Sequence, residues 1–201
     1  MNQNDEFKFS KIVMVGAGGI GFHLAVALSR DIGHIIPIEV WDDDTFEGGQ
    51  GFRRLPAVSN KRQFKVEFLK DYIERVMDDK PPTICPNKLT SESLFLSSSW
   101  AETLAVDCTD MGYDSRKELW AALRKNGATC LRVSYDGNGC IVVSPSIPFS
   151  TKSGAGGYSL VPSMGQSYCA AGLGAMAVMK ALRLRKLTEM QLQISDKEEK
   201  L

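Results

Sequence analysis

The chain is 201 residues long, 43% hydrophobic and 24% charged, enough for one α/β domain with a buried core. Its 24 Lys and Arg balance 24 Asp and Glu, which excludes a partner chosen by bulk charge, such as nucleic acid. The five cysteines form no C-x-x-C pair, which argues against a disulfide framework and a four-thiolate zinc site. The first residues are polar and no run approaches the ~20 apolar residues of a membrane span, so a soluble, cytoplasmic protein is expected.

The first element is the apolar run Ile12–Val15, read as a buried parallel strand. It empties into GAGGIG, where Gly16, Gly18 and Gly21 take the three places of a G-x-G-x-x-G turn, with Gly19 between them. The first glycine permits the turn, the second lets a phosphate approach the backbone, and the third lets the next helix pack on the strand. Leu24, Ala25, Ala27 and Leu28 continue at helical spacing, with Gly33 as C-terminal cap. Ile35–Trp41 reads as a second strand whose Pro37 favours an early or edge-like position, and it ends at Asp42, Asp43 and Asp44. A second helix is expected from Asn60, capped with Gln63, along the stripe Val66, Leu69, Ile73 and Val76.

Leu104–Val106 reads as a further buried strand, ending at Asp107, Cys108, Thr109 and Asp110. Ser115 and Glu118 offer a capping box for a helix that stops at Asn126–Gly127. Thr129–Tyr135 and Cys140–Ser144 flank Asp136–Gly139 as a hairpin, Pro145–Pro162 reads as a surface loop, and Gly165 to about Leu187 as a small-residue helix. The order implies an α/β, Rossmann-like three-layer fold, a mostly parallel sheet ending in an antiparallel hairpin. One nucleotide-binding domain is expected over residues 1–187, followed by a solvated tail over 188–201.

Ligands of such sheets sit beyond the carboxyl ends of the strands, so the glycine turn, Asp42–Asp44 and Asp107–Asp110 should face one crevice. Asp42 stands about 20 residues past the last glycine, where an acid accepts hydrogen bonds from a ribose. Arg53, Arg54 and Lys65 add cations, a mixture that a nicotinamide dinucleotide does not require and a triphosphate with magnesium does. Cys169, which opens the last helix, is the nearest candidate for a reactive thiol, yet among Ala and Gly it reads as structural, and Cys108, after a buried strand, reads as packing. His23 reads as packed, and no Ser/His/Asp set is present.

The residues GAGGIG, VWDDDTF at Val40–Phe46, RRLP at Arg53–Pro56, RQFKV at Arg62–Val66, VDCTD at Val106–Asp110 and SYDGNGCIVV at Ser134–Val143 carry a resemblance. So does the closing GQSYCAAGLGAMAVMKAL, so that it spans Lys11 to Leu187. Together they resemble the ThiF/MoeB-like adenylyltransferases, whose fold is shared by the adenylation domains of ubiquitin-activating enzymes. The resemblance implies that Asp42 binds ribose with Asp44 beside it. It also implies that Arg53 contacts the ATP phosphates with Arg54 next to it, that Lys65 binds phosphate, and that Asp110 holds Mg2+. Catalytic roles would fall to Arg53, Lys65 and Asp110. The implied activity is ATP-dependent adenylylation of the C-terminal carboxylate of a ubiquitin-like or sulfur-carrier-like protein, by a homodimer or heterodimer without nucleic acid or membrane.

The sequence departs from the family pattern at Gly49-Gln50-Gly51, which replaces Ser-Asn-Leu, and at Met111, where asparagine is usual. Only Lys8 stands where an N-terminal arginine would be expected, and Pro145–Pro162 holds no cysteine for a thioester. A non-catalytic subunit that binds nucleotide or a partner is the alternative. An NAD-dependent oxidoreductase is permitted by the glycine turn but leaves Lys65 and Asp110 without a task.

Overall fold

The run Lys11–Val15 (β1) is buried along nearly its whole length because strands lie on both sides of it and helices on both faces. The structure, a computed structural model, describes residues 9–46, 62–96, 100–135, 140–146, 164–184, 187 and 189–193. Arg53, Arg54, Lys8, Asn60, Gly49–Gly51, the Asp136–Gly139 turn and most of the Pro145–Pro162 loop fall outside these residues. β1 pairs in parallel with Ile38–Trp41 (β2) and Thr103–Asp107 (β4). Thr83–Cys85 (β3) extends the β2 side, also in parallel. On the other side Thr129–Tyr135 (β5) is parallel, and Cys140–Ser144 (β6) and Met190–Gln193 (β7) are antiparallel.

The sheet order is β3-β2-β1-β4-β5-β6-β7, seven strands among the described residues. The strand order reverses between β1 and β4, where an open α/β sheet leaves its crevice. Register then levels three strand ends, because Val15 stands opposite Trp41 on one side and Asp107 on the other. Gly16, Asp42 and Cys108 are therefore the first residues past one common edge.

Alternation along β1 assigns the two faces. Ile12 and Met14 join the larger core with Gly19–Ile32 (α1), Lys65–Val76 (α2) and Met164–Leu184 (α4). Val13 and Val15 join a smaller one with Tyr113–Lys125 (α3), a 3-10 turn at Ser93–Leu96 and Trp100. In α2 the stripe Val66, Leu69 and Ile73 is fully buried, each side chain stabilising the layer by about 2 kcal/mol. Val76, the last of the expected stripe, is 66% exposed. No helix among the described residues is long and apolar enough to cross a membrane.

The expected α/β class and the hairpin strands hold. Several local expectations do not. Pro37 precedes β2 rather than lying in it, its carbonyl receiving the Ile12 N–H, and β2 is paired on both sides. The helix expected from Asn60 begins at Lys65 after Phe64, and the Gln63 side chain bonds Asp71 instead of capping. Ser115 lies inside α3, which follows Gly112, and Glu118 accepts from Ser91. Gly33, by contrast, is the C-terminal cap of α1 as expected, in the right-handed region at φ −61° with its N–H on the Ser29 carbonyl. Within 188–201, expected as a solvated tail, Met190–Gln193 forms the edge strand β7 against β6. Pro37, Glu118 and β7 answer to partners distant in sequence, which local capping and turn rules do not see.

Candidate functional site

The glycine turn forms as its spacing predicts. Gly16 has φ +94°, a conformation costly for any side chain, and a Cβ there would come 3.1 Å from Thr109 Cγ2. At Gly21 a Cβ would fall 1.9 Å from the Gly16 carbonyl oxygen, so the close approach of α1 to the turn requires its absence. Above Gly18 a Cβ would meet nothing within 4 Å. The N-terminus of α1, opening at Gly19, has no side-chain cap and no acid in its first turn. Its orphan amides and positive dipole end face an open approach suited to an anion.

Asp42 closes the β2 side of the crevice. Its Oδ2 accepts the Ala17 N–H at 2.5 Å and its Oδ1 accepts the Asp44 N–H at 2.8 Å, which fixes the carboxylate against the glycine turn. Each oxygen keeps a further lone pair for a ribose hydroxyl. Burial pushes the Asp42 carboxyl above the ordinary 3.8, opposed by the two amides and by the Lys65 charge. Asp44 in turn pairs with Lys65, Oδ2 to Nζ 2.5 Å, and also accepts the Lys65 N–H through its carbonyl. A continuous chain of contacts thus runs from Ala17 through Asp42 and Asp44 to Lys65.

Lys65 is the first residue of α2, where a cation opposes the helix dipole. The cap position before it is taken by Phe64, which packs against the larger core and caps nothing. Glu67 in the same first turn and Asp44 beside the ammonium offset its charge. Thr45 bridges Phe64, the Phe46 N–H donates to the Gln63 carbonyl and the Arg62 N–H donates to the Phe46 carbonyl, so Phe46 and Arg62, between which Arg53 and Arg54 lie in sequence, meet close to Lys65.

On the β4 side the two expected acids separate. Asp107 is 3% exposed and accepts four hydrogen bonds, from the Thr109 N–H and Oγ1, Arg116 Nε and Trp120 Nε1, at 2.9, 2.7, 2.9 and 3.0 Å. This carboxylate is saturated and not available to a ligand, a correction to its expected place in the crevice. Asp110 is exposed past the end of β4, three residues beyond the edge that carries Gly16. Magnesium takes one or two carboxylates together with phosphate oxygens and water, and the Asp110 carboxylate fits that role. The three carboxylates Asp42, Asp43 and Asp44 also have oxygens within 4.8 Å of one another, yet Asp42 is engaged by amides and Asp44 by Lys65.

Sequence reasoning missed Arg116. The available signal was an arginine standing in the stripe Arg116, Leu119, Trp120 and Leu123 that α3 turns to the core. Cys108 packs against the larger core as expected, half-buried, with its thiol raised by burial and then by Asp107. Cys169, expected in packing, is instead exposed on α4. His23 is buried and stacks on Tyr168 at 4.0 Å between ring centroids.

No family model matches the sequence and no curated protein matches it. Solved structures do share the fold. E. coli MccB with ATP aligns over 98% of this chain and 66% of its own, with TM-score 0.68 and 16% identity. The microcin C7 biosynthetic enzyme MccB in complex with N-formylated MccA gives 0.66 at 19% identity, over 96% and 67%. PaaA gives 0.69 at 16%, over 96% and 63%. The chain thus spans about two-thirds of the length of these proteins. It has the Rossmann-like α/β fold expected from its ThiF/MoeB-like motifs and shares that fold with MccB and PaaA.

Proposed function

We propose that this chain is an adenylyltransferase that binds ATP past the ends of β1, β2 and β4 and activates a C-terminal carboxylate as an acyl-adenylate. The observation that carries the reading is the contact chain from Ala17 through Asp42 and Asp44 to Lys65. It joins an uncapped helix N-terminus and a ribose-type acid to a cation that a dinucleotide would not need. The structures of MccB with ATP and with MccA support the same reading.

The carboxylate oxygen of the acceptor attacks the α-phosphorus, the bond from that phosphorus to the bridging oxygen breaks, and pyrophosphate leaves. No protein base is needed, because the nucleophile is already ionised. The amides of the glycine turn hold phosphate, Asp42 orients the ribose, and Lys65, with Arg53 and Arg54, offsets charge growing on the leaving pyrophosphate. Held by Asp110, Mg2+ would neutralise phosphate charge. The acceptor class is a peptide or small protein ending in a free carboxylate, ubiquitin-like or sulfur-carrier-like in the finer reading, with a homodimer or heterodimer as the assembly. A thioester step is not part of the proposal, although Cys169 on α4 is exposed.

ATP–pyrophosphate exchange with peptides ending in a free carboxylate tests this. Exchange should appear, and Lys65→Ala and Asp110→Ala should each lower it by about 100-fold, an effect of the size seen when one transition-state stabilising group is removed. ATP binding without exchange would overturn catalysis and leave a nucleotide-binding subunit. NAD binding without ATP binding would overturn the ATP site itself.

A further inference from the structure

Arg116 has no task in the chemistry above, yet it is only 4% exposed and its Nε lies 2.9 Å from Asp107 Oδ2. Taking two charges out of water costs several kcal/mol each, and apolar residues of similar volume often serve stability as well or better. Stability therefore does not account for the pair, but its direction does. Asp107 Oδ1 receives both the N–H and the hydroxyl of Thr109, while Arg116 Nη2 donates to the Thr109 carbonyl at 3.0 Å. One ion pair thus holds Thr109 at three points. Thr109 has Asp110 as its next residue, and its Cγ2 lies against Gly16. The segment is pinned at its start as well, by Cys108 N–H on the Val15 carbonyl at 2.8 Å.

We infer that Arg116 is a positioning residue: acting through Thr109, it sets the direction in which Asp110 leaves β4 and holds that acid in register with the glycine turn. The inference rests on the reading of the crevice as an ATP site with a metal at Asp110. It requires a guanidinium, because Nε must meet the carboxylate while Nη2 meets the carbonyl. A lysine ammonium keeps the charge but lacks the rigid planar fork that reaches both acceptors at once.

The test is ATP binding by titration calorimetry, once with Mn2+ and once with EDTA, so that the ratio of the two affinities reports the metal contribution without any acceptor. Arg116→Lys should cut that ratio about tenfold while leaving affinity in EDTA within about threefold, as expected for loss of one aimed carboxylate. In an Asp110→Ala background the same replacement should change the ratio by less than about twofold, since the group it aims is gone. Leu123→Ala removes core volume from the same helix without touching Thr109; it should lower the unfolding temperature and leave the ratio intact. An unchanged ratio in Arg116→Lys, an equal loss with and without Asp110, or a similar loss in Leu123→Ala would each overturn the inference. A wild-type protein whose ATP affinity ignores the metal would do so too. Absent exchange with intact Mn2+-dependent binding would instead count against adenylylation and leave the role of Arg116 standing.

Discussion

Asp42 and Asp107 flank β1 at one sheet edge, one just past the end of β2 and the other ending β4, yet they do opposite work. Asp42 is half-buried, is held by two backbone amides, and keeps lone pairs for a ligand. Asp107 is enclosed, paired with Arg116 and filled by four donors. What separates them is the following element. After β2 the chain runs to a helix that starts with Lys65 at the rim, whereas after β4 it runs to a helix that sends Arg116 and Trp120 inward. An acid at a strand end is thus left open or consumed according to what the next helix turns toward it.

The comparison breaks most visibly at Asp107. Asp107→Ala leaves the Arg116 guanidinium buried without its carboxylate and should cost about 3–5 kcal/mol in urea unfolding. A loss under about 1 kcal/mol would mean that the buried pair is not intact in solution.

Asp42 sharpens the contrast by its pH dependence. Burial raises its folded pKa above 3.8, so the folded state holds this proton more tightly than the unfolded chain does. The wild type is therefore penalised progressively as pH rises from 3.8 through the raised value, and constantly above it. Asp42→Asn carries no such penalty. Its stability relative to wild type should climb over that window and then level off, and a flat difference would show that burial does not govern Asp42. The same variant should also weaken ATP binding by about tenfold, through a poorer ribose acceptor.

The smallest effect belongs to the rim. The Asp44 side chain is 66% exposed in its pair with Lys65, so Asp44→Asn should change stability by less than about 1 kcal/mol and do so only at low salt. A larger loss would place that pair in a drier setting than its exposure implies.

Much of the Asp42 side was legible because its signals are local. A buried run, a glycine turn and an acid at fixed spacing each constrain backbone geometry within a few residues. The β4 side was only half legible. VDCTD marked the strand end, but nothing in those five residues says that the first aspartate turns inward and the last outward. That choice belongs to Arg116 and Trp120, which reach Asp107 from the next helix.

The helix starts illustrate the same boundary. Capping boxes at Asn60–Gln63 and Ser115–Glu118 are plausible in isolation, yet Gln63 bonds Asp71 and Glu118 bonds Ser91 once the chain is packed. β7 was invisible because a short polar edge strand is specified by the strand beside it, here β6, rather than by its own pattern.

By itself the sequence determined the glycine-turn geometry of Gly16–Gly21, the acid after the second strand, and the alternation of strands and helices that yields this α/β sheet. Tertiary structure alone decided that Lys65 meets Asp44 and that Asp107 is consumed by Arg116, while Asp110 stays exposed. The reason is range. Backbone conformation answers to neighbours along the chain, whereas the availability of a charge answers to every element packed around it.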